Sequence, residues 1–305
     1  MRVLVTGACG FIGSWLCEEL VKRGYKVRAL DVREPPEYLK DLKLEFFKVD
    51  ISREPLDLVV RNVDCVVHLA ALISAEESVV VPRRYHEVNV SGMLNLLMAM
   101  ERQYVKKIVF ASSAAVYGEP IQLPIEENHP LRPKNPYGAT KVACEAYIHA
   151  FSYSYDLRGV ILRLFNVYGP RQSGEYAGVI SIFISRALRD QPLIIHGDGN
   201  QVRDFIYIRD VVSAIVKAIE RDFDLPVVVM NIGTGNPTKI IDLARLVLKL
   251  TNKENLLIQY EKPRPGDIKE SYASIDLAKD FLKWKPKTSL EKGLVSTIKW
   301  FKKYY

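Results

Sequence analysis

Cysteine is scarce and scattered in this chain. Cys9, Cys17, Cys65 and Cys144 show neither a Cys-x-x-Cys pair nor the Cys/His spacing of a metal centre, so they read as buried free thiols and no metal site is expected. The five histidines are equally dispersed. No apolar run approaches the ~20 residues that a membrane span requires. The opening "MRVLVTG" carries no signal region, so the expectation is a cytoplasmic protein that does not enter a membrane. Internal repeats and low-complexity tracts are missing as well. The formal net charge is +7, yet its 43 Lys and Arg are interspersed with 36 Asp and Glu. The tightest basic cluster, "KWFKKYY", reads as a solvated helix face. This pattern argues against nucleic acid and suits small anionic phosphate ligands.

What is present looks globular: 305 residues, 48% hydrophobic and 26% charged, enough for two lobes or one large domain. The first 165 residues alternate in kind. "RVLVTG" is a β-branched apolar run, and "FIGSWLCEELVKRG" follows it with Ile12, Leu16, Leu20 and Val21 at helical spacing and Gly24 as a closing residue. "YKVRALD", "LEFFKVDI", "DCVVHLAA", "KKIVFASS" and "GVILRLFNVYG" read as five more strands. Helices are expected through "NVSGMLNLLMAMERQ" and from Tyr137 to about Tyr155. Short, almost wholly apolar strands between helices specify an α/β fold with a doubly wound parallel sheet. Ligands of such sheets sit beyond the carboxyl ends of the strands.

After about residue 166 the pattern loosens. Polar, glycine-bearing stretches such as "HGDGNQVRD" and "EKPRPGDIKES" alternate with helices "GVISIFISRALRD" and "KIIDLARLVLKLT". The expected organisation is a first domain over residues 1–166 and a smaller substrate lobe over 167–305, with segments near 204–233 returning to the first domain.

"TGACGFIG" sets Gly7, Gly10 and Gly13 at the first strand-to-helix turn. Gly7 permits the tight turn, Gly10 lets backbone N–H groups approach a pyrophosphate, and Gly13 allows close packing of helix on strand. The helix N-terminus then faces the phosphates with its positive end. Asp31 at the next strand end is placed to accept from both ribose hydroxyls, which favours NAD over NADP, although Arg33 nearby could hold a 2′-phosphate.

"NPYGATK" puts Tyr137 and Lys141 four places apart, on one stripe of a helix that Asn135 would cap and Pro136 would open. Alone, such a pair also fits an ordinary surface turn.

Taken together, "TGACGFIG", "HLAA", "FASSAAVYG", "YGATK", "RLFNVYGPRQ", "RDFIYIRDV" and "RPGD" resemble, in order and distance, the extended short-chain dehydrogenase/reductase family. Within it the chain is most similar to the nucleotide-sugar 4-epimerases. The resemblance covers essentially the whole chain and implies a Rossmann-type NAD-binding domain. It implies that Tyr137 exchanges a proton with a sugar hydroxyl, with Lys141 beside it lowering the phenol's pKa. It points to Ser113 as the third catalytic hydroxyl; Ser112 is the alternative in a turn or cap role. Cofactor contacts are implied for Gly7, Gly10, Phe11, Ile12, Gly13 and Asp31, for Asp50 and Ile51 at the adenine, for Leu69, Ala70 and Ala71 as a backbone wall, for Asn89 as a buried polar anchor, and for Tyr137 and Lys141, the lysine at the nicotinamide ribose. Ile73 departs from the pattern, standing where galactose epimerases often carry lysine. Substrate contacts are implied for Asn166, Gly178, Val179, Arg203, Arg264, Asp267 and Ser271, the arginines gripping a diphosphate in bidentate fashion. The plainer reading of each arginine is a surface salt bridge.

The reaction so implied is NAD-dependent 4-epimerisation of a UDP-hexose through a 4-keto intermediate. Candidate substrates are UDP-glucose and UDP-galactose, with the N-acetyl counterparts admitted if Ser271 rather than Tyr272 stands at the hexose 2-position. A 4,6-dehydratase needs an acidic pair where this chain has Ala114 and Ala115, neither of which can carry a proton. A UDP-glucuronate 4-epimerase or decarboxylase and a nucleotide-sugar reductase are the nearer alternatives; a non-catalytic NAD-binding regulator is the alternative from another class. A homodimer is expected, because "GMLNLLMAM" and "VACEAYIHAFSY" are more apolar than one buried stripe requires.

Overall fold

A computed structural model describes residues 1–172, 178–263 and 266–304. The chain divides into two compact units. The first comprises Met1–Gly118, Pro130–Leu164 and Val212–Met230; the second comprises Glu119–His129, Phe165–Val211 and Asn231–Tyr305. Residues 119–129 thus fall with the second unit although they lie early in the chain.

In the first unit β1 (Arg2–Thr6), β2 (Lys26–Asp31), β3 (Leu44–Lys48), β4 (Cys65–His68), β5 (Lys107–Ser113) and β6 (Arg158–Leu164) join the strand Val227–Ile232. The seven-stranded sheet runs in the order Val227–Ile232, β6, β5, β4, β1, β2, β3. All pairings from β3 across to β6 are parallel. Val3, Leu4, Val5, Val66, Val67, Ile161 and Leu162 are wholly buried, which is why these strands read as continuous apolar runs instead of alternating ones. β1 has β2 on one side and β4 on the other, so the strand order reverses there and opens a crevice beyond the ends of β1 and β4.

Three helices carry or support the site residues: α1 (Phe11–Lys22), α2 (Gly92–Arg102) and α3 (Pro136–Tyr155). Gly24, at φ +81°, closes α1 as its position in the sequence indicates. α2 starts later than the apolar pattern suggests, because His86–Ser91 ahead of it form a wider π-helical segment. Leu96, Leu97 and Met100 of α2 and Cys144 and Ile148 of α3 share one apolar core with Val66, Ile108, Phe110 and Ile161 of the sheet. α3 begins where the sequence places it: the Asn135 side chain accepts from Gly138 N–H at 2.9 Å, and Pro136 occupies the first turn.

In the second unit the strand Val202–Tyr207 pairs in parallel with Asn166–Tyr168 and Glu270–Ser271, and antiparallel with Pro237–Lys239. Glu270–Ser271, from a stretch that reads as polar loop, therefore form strand. Asp204 is fully buried on the central strand and accepts from Thr234 N–H (2.8 Å), Gly235 N–H (2.9 Å) and Ala273 N–H (3.2 Å), tying two loops to it. The terminal basic cluster lies in the helix Leu290–Tyr304, which buries Phe301 and leaves Lys299, Lys302 and Lys303 exposed. It is amphipathic, not wholly solvated. Among the described residues, no helix is long and apolar enough to cross a membrane and no His/Cys/Asp/Glu group could hold a metal ion.

Candidate active site

The turn after β1 is built around positions that tolerate no side chain. Gly7 has φ +68°, and a Cβ there would lie 2.7 Å from the Ala70 nitrogen. A Cβ on Gly13 would drive into the Gly7 carbonyl, so the first turn of α1 can close on β1 only with glycine at that place. Gly10 differs: beyond the Gly7 carbonyl at 3.0 Å, its Cβ would meet just the tip of Arg33 at 3.7 Å. The backbone there is open to approach. No side chain caps the start of α1 at Phe11 and Ile12, so its first-turn N–H groups are directed at whatever anion lies ahead of the helix.

Asp31 ends β2 and is buried, with Oδ2 accepting from Cys9 N–H at 2.9 Å and Oδ1 from Arg33 N–H at 3.0 Å. The Arg33 guanidinium folds back onto this carboxylate, with Nε 3.1 Å from Oδ1, so the arginine that could hold a 2′-phosphate is engaged by Asp31. Asp50 accepts from Ser52 N–H and Oγ–H at 2.9 and 2.6 Å, while Ile51 is buried beneath Gly92 and offers its carbonyl to Asn95.

The segment after β4 is fixed by two polar residues. Thr6 Oγ accepts from Leu69 and Ala70 N–H, both at 3.2 Å, and lies 2.8 Å from His68 Nδ1. A hydroxyl already accepting twice gives its own proton to that nitrogen, so His68 carries its proton on Nε2. Burial holds His68 down at about 3, with the Lys141 charge adding to the effect, and the ring stays neutral. Asn89 is buried and accepts from Leu72 N–H at 2.8 Å while donating to Leu72 O and to Thr140 Oγ, both at 3.0 Å. It ties the segment running on from Leu69, Ala70 and Ala71 to α3. Ile73 is half exposed, at 49%.

The end of β5 and the start of α3 bring the hydroxyls together. Ser113 hydrogen-bonds Tyr137, and its Oγ also accepts from Ala115 N–H at 3.2 Å. Lys141, one turn further along α3, is buried and donates from Nζ to Ala111 O at 2.8 Å. Its ammonium lies 4.7 Å from the Phe110 ring centroid and 5.9 Å from that of Tyr137. The titration differs from what the Tyr–Lys spacing suggests. Burial raises the Tyr137 phenol above its ordinary value, and the Ser113 hydrogen bond only partly opposes this. Burial also pushes Lys141 down to about 8. Both groups lose water, and desolvation disfavours each one's charged form. Ser112, the alternative hydroxyl, points elsewhere and donates to Glu145 at 2.5 Å.

Of the residues implied for the substrate, Asn166, Arg203, Asp267 and Ser271 lie on or against the central strand of the second unit. Arg203 sits on that strand and pairs with Asp267 at 2.5 Å. Ser271 is Arg203's partner across the parallel register, and Asn166 donates to Asp204 O at 2.9 Å. Gly178 and Val179 open the helix Val179–Leu188, where Gln172 bridges Val167 O and Ser181. Arg264 lies outside the described residues. Sequence reasoning did not single out Thr6, Thr140, Glu145 or Arg163. The signals for the last two were a carboxylate one turn beyond Lys141 and an arginine inside the apolar run "GVILRLF".

Residues 3–233 match the model of the NAD dependent epimerase/dehydratase family. A Methanocaldococcus jannaschii protein provisionally named as a UDP-glucose 4-epimerase is 40% identical over 306 residues, 98% of each chain. The UDP-N-acetylglucosamine 4-epimerase of Methanobrevibacter ruminantium, solved with UDP-N-acetylmuramic acid, is 36% identical with a TM-score of 0.93, over 100% of this chain and 99% of that one. The UDP-glucuronic acid 4-epimerase of Bacillus cereus, solved with UDP-glucuronic acid and NAD, is 32% identical with a TM-score of 0.93 over 100% of both chains. The chain belongs to the NAD dependent epimerase/dehydratase family, among its UDP-sugar epimerases, and its cofactor is NAD. The open backbone at Gly10, the uncapped start of α1 and the buried Asp31 carboxylate fit that cofactor.

The depressed Lys141 has a measurable consequence. Its folded value of about 8 lies below the ~10.4 of an unfolded lysine, so between these the unfolded chain binds more protons and stability rises with pH. Lys141→Met lacks this dependence. The wild type should gain on Lys141→Met in denaturant titrations as pH rises from about 8 to about 10. Parallel stability curves across that window would show that Lys141 is not held low.

Proposed function

We propose that the chain interconverts UDP-hexoses at C4, with Ser113, Tyr137 and Lys141 as its catalytic residues. The observation that carries this reading is the hydrogen-bonded Ser113–Tyr137 pair at the end of β5, with buried Lys141 one helical turn on. Bound NAD supplies reversible hydride exchange at the sugar carbon and a positive ring. Tyr137 as phenolate takes the O4 proton while C4 is oxidised, then returns a proton to the same oxygen when the 4-keto form is reduced from its other face. Ser113 hydrogen-bonds that oxygen and the phenol. Lys141 contributes the fixed positive charge that favours phenolate against the burial raising it. Two-electron oxidation and reduction cancel, so no net redox change results.

In the second unit we assign Asn166, Gly178, Val179, Arg203, Asp267 and Arg264 to the nucleotide diphosphate and its surroundings. Arg203, held by Asp267, has the planar fork that phosphate oxygens require. Water elimination is disfavoured. Ala114 and Ala115 form an apolar turn after Ser113, and the neighbouring carboxylate of Glu145 is ion-paired to Arg163 at 2.7 Å. A regulator would have no need of the Tyr137–Lys141 pair, and a reductase would release reduced cofactor.

The hexose is read from Ser271. Its register with Arg203 puts the two side chains on one face, while Val202, Glu270 and Tyr272 line a 560 Å³ cavity. This supports Ser271, not Tyr272, as the small residue on Arg203's side of the sheet, and we propose it for the sugar's 2-position. UDP-GlcNAc and UDP-GalNAc are therefore proposed as substrates alongside UDP-glucose and UDP-galactose. Four free, buried cysteines suit a cytoplasmic setting. Met98 on α2 and Tyr153 and Tyr155 on α3 are 47, 81 and 46% exposed, and we propose that they meet a second copy in a homodimer.

Product analysis with UDP-glucose, UDP-galactose, UDP-glucuronate and the N-acetyl pair tests the reading. Tyr137→Phe should lower turnover at least ~10²-fold with NAD still bound; activity within tenfold of wild type would remove Tyr137 from the mechanism. Ser271→Tyr should depress turnover of the N-acetyl pair about tenfold more than that of UDP-galactose. Equal losses, or a wild type that takes only plain hexoses, would refute the Ser271 assignment. Light scattering at micromolar concentration should give twice the 34.7 kDa chain mass, and a monomer would contradict the dimer.

A further inference from the structure

We propose that Glu145 is a positioning residue for the catalytic centre, holding the end of β5 in register with α3. The proposal rests on the epimerase reading and extends it to a residue outside the catalytic set.

Tyr137, Lys141 and Glu145 stand four apart on α3 and share one stripe. Each holds one of three consecutive residues at the end of β5. Lys141 donates to Ala111 O at 2.8 Å, Glu145 accepts from Ser112 Oγ–H at 2.5 Å, and Tyr137 hydrogen-bonds Ser113. Of these three contacts, only the one at Glu145 lies outside the catalytic set. It ties down the residue next to Ser113, so a slip of the strand end would be felt at the Ser113–Tyr137 bond.

Glu145 is itself held. Arg163 on β6 reaches it with Nη2 at 2.7 Å and Nε at 3.1 Å, and gives Nη1 to Tyr117 Oη at 3.0 Å. Ser112 and Arg163 are register partners across β5 and β6, so two neighbouring strands converge on one carboxylate. Both ions are at least 95% buried. A buried pair is a poor source of stability, since a well-packed apolar pair of similar volume often serves as well or better. Its location beside the catalytic residues is then explained by what it does to them.

The charge has a second effect. The groups facing Lys141 are Tyr137, Cys144 and Glu145 from α3, the Phe110 ring and Ala111 carbonyl from β5, and the neutral His68 from β4. Burial drives Lys141 down, and Cys144 and Glu145 oppose it.

The test uses the NAD-loaded protein and three variants. Glu145→Leu/Arg163→Met removes both charges together, leaving neither ion buried alone. It should keep bound NAD while kcat falls about tenfold or more and KM stays within about threefold. Ser112→Ala keeps the ion pair and removes only the grip on β5. It should lower kcat severalfold, and Ser112→Thr should restore the rate. Should the double variant not fold, Ser112→Ala decides the matter alone. Wild-type kcat in Ser112→Ala, or full kcat in the folded double variant, overturns the proposal. A wild type that turns over no UDP-hexose defeats the epimerase reading instead. In that event amide hydrogen exchange at the end of β5 still reports the grip, and equal protection in wild type and Ser112→Ala overturns the proposal.

Discussion

Burial of the polar stripe on α3 is the constraint from which the chemistry derives. Lys141 and Glu145 are buried against the sheet and Tyr137 is partly buried, and each must find its partner among the last residues of β5 and β6. Desolvation sets the direction of the shift at Tyr137, Lys141 and His68. It raises the phenol, lowers the ammonium and holds His68 neutral. A general base at neutral pH therefore has to be made by charges that oppose burial, and Lys141 can supply one only while it keeps its own proton.

The cofactor end of the first unit solves a different problem by removing atoms. Gly7 and Gly13 leave no room for a side chain, so α1 starts against β1 and the segment after β4 lies against the same turn. Thr6 and Asn89 then fix that segment through N–H groups and carbonyls instead of through packing. Thr140 links Asn89 to α3, one residue before Lys141. The wall implied for the cofactor and the catalytic helix are thus joined by buried hydrogen bonds, which are costly to leave unmade.

Much of this is legible in the sequence because it is local. The glycine turn, the Asn135 cap, the Pro136 start and the Tyr137–Lys141 stripe are spacings within a few residues, and apolar runs between helices specify a parallel sheet. What cannot be read is what depends on which distant residues meet. Ser112 reads as a turn or cap residue until the fold brings Glu145, 33 positions away, to accept from it. Arg163 and Asp204 sit in apolar strands as lone charges, and only the fold reveals the carboxylate or the backbone N–H groups that satisfy them. The direction of the Tyr137 shift, opposite to the lowering that the Lys141 spacing implies, has the same origin. Spacing reveals a neighbouring charge, whereas desolvation is known only once the fold is known.

Transient reduction of bound cofactor is the step on which the proposed chemistry turns. The most direct measurement is the absorbance of the NAD-loaded protein at about 340 nm after mixing with a UDP-hexose, followed together with the products. The mechanism predicts a rise that stays with the protein while C4 epimers interconvert and no reduced cofactor accumulates in solution. Stoichiometric release of reduced cofactor, or interconversion in protein stripped of NAD, would contradict it.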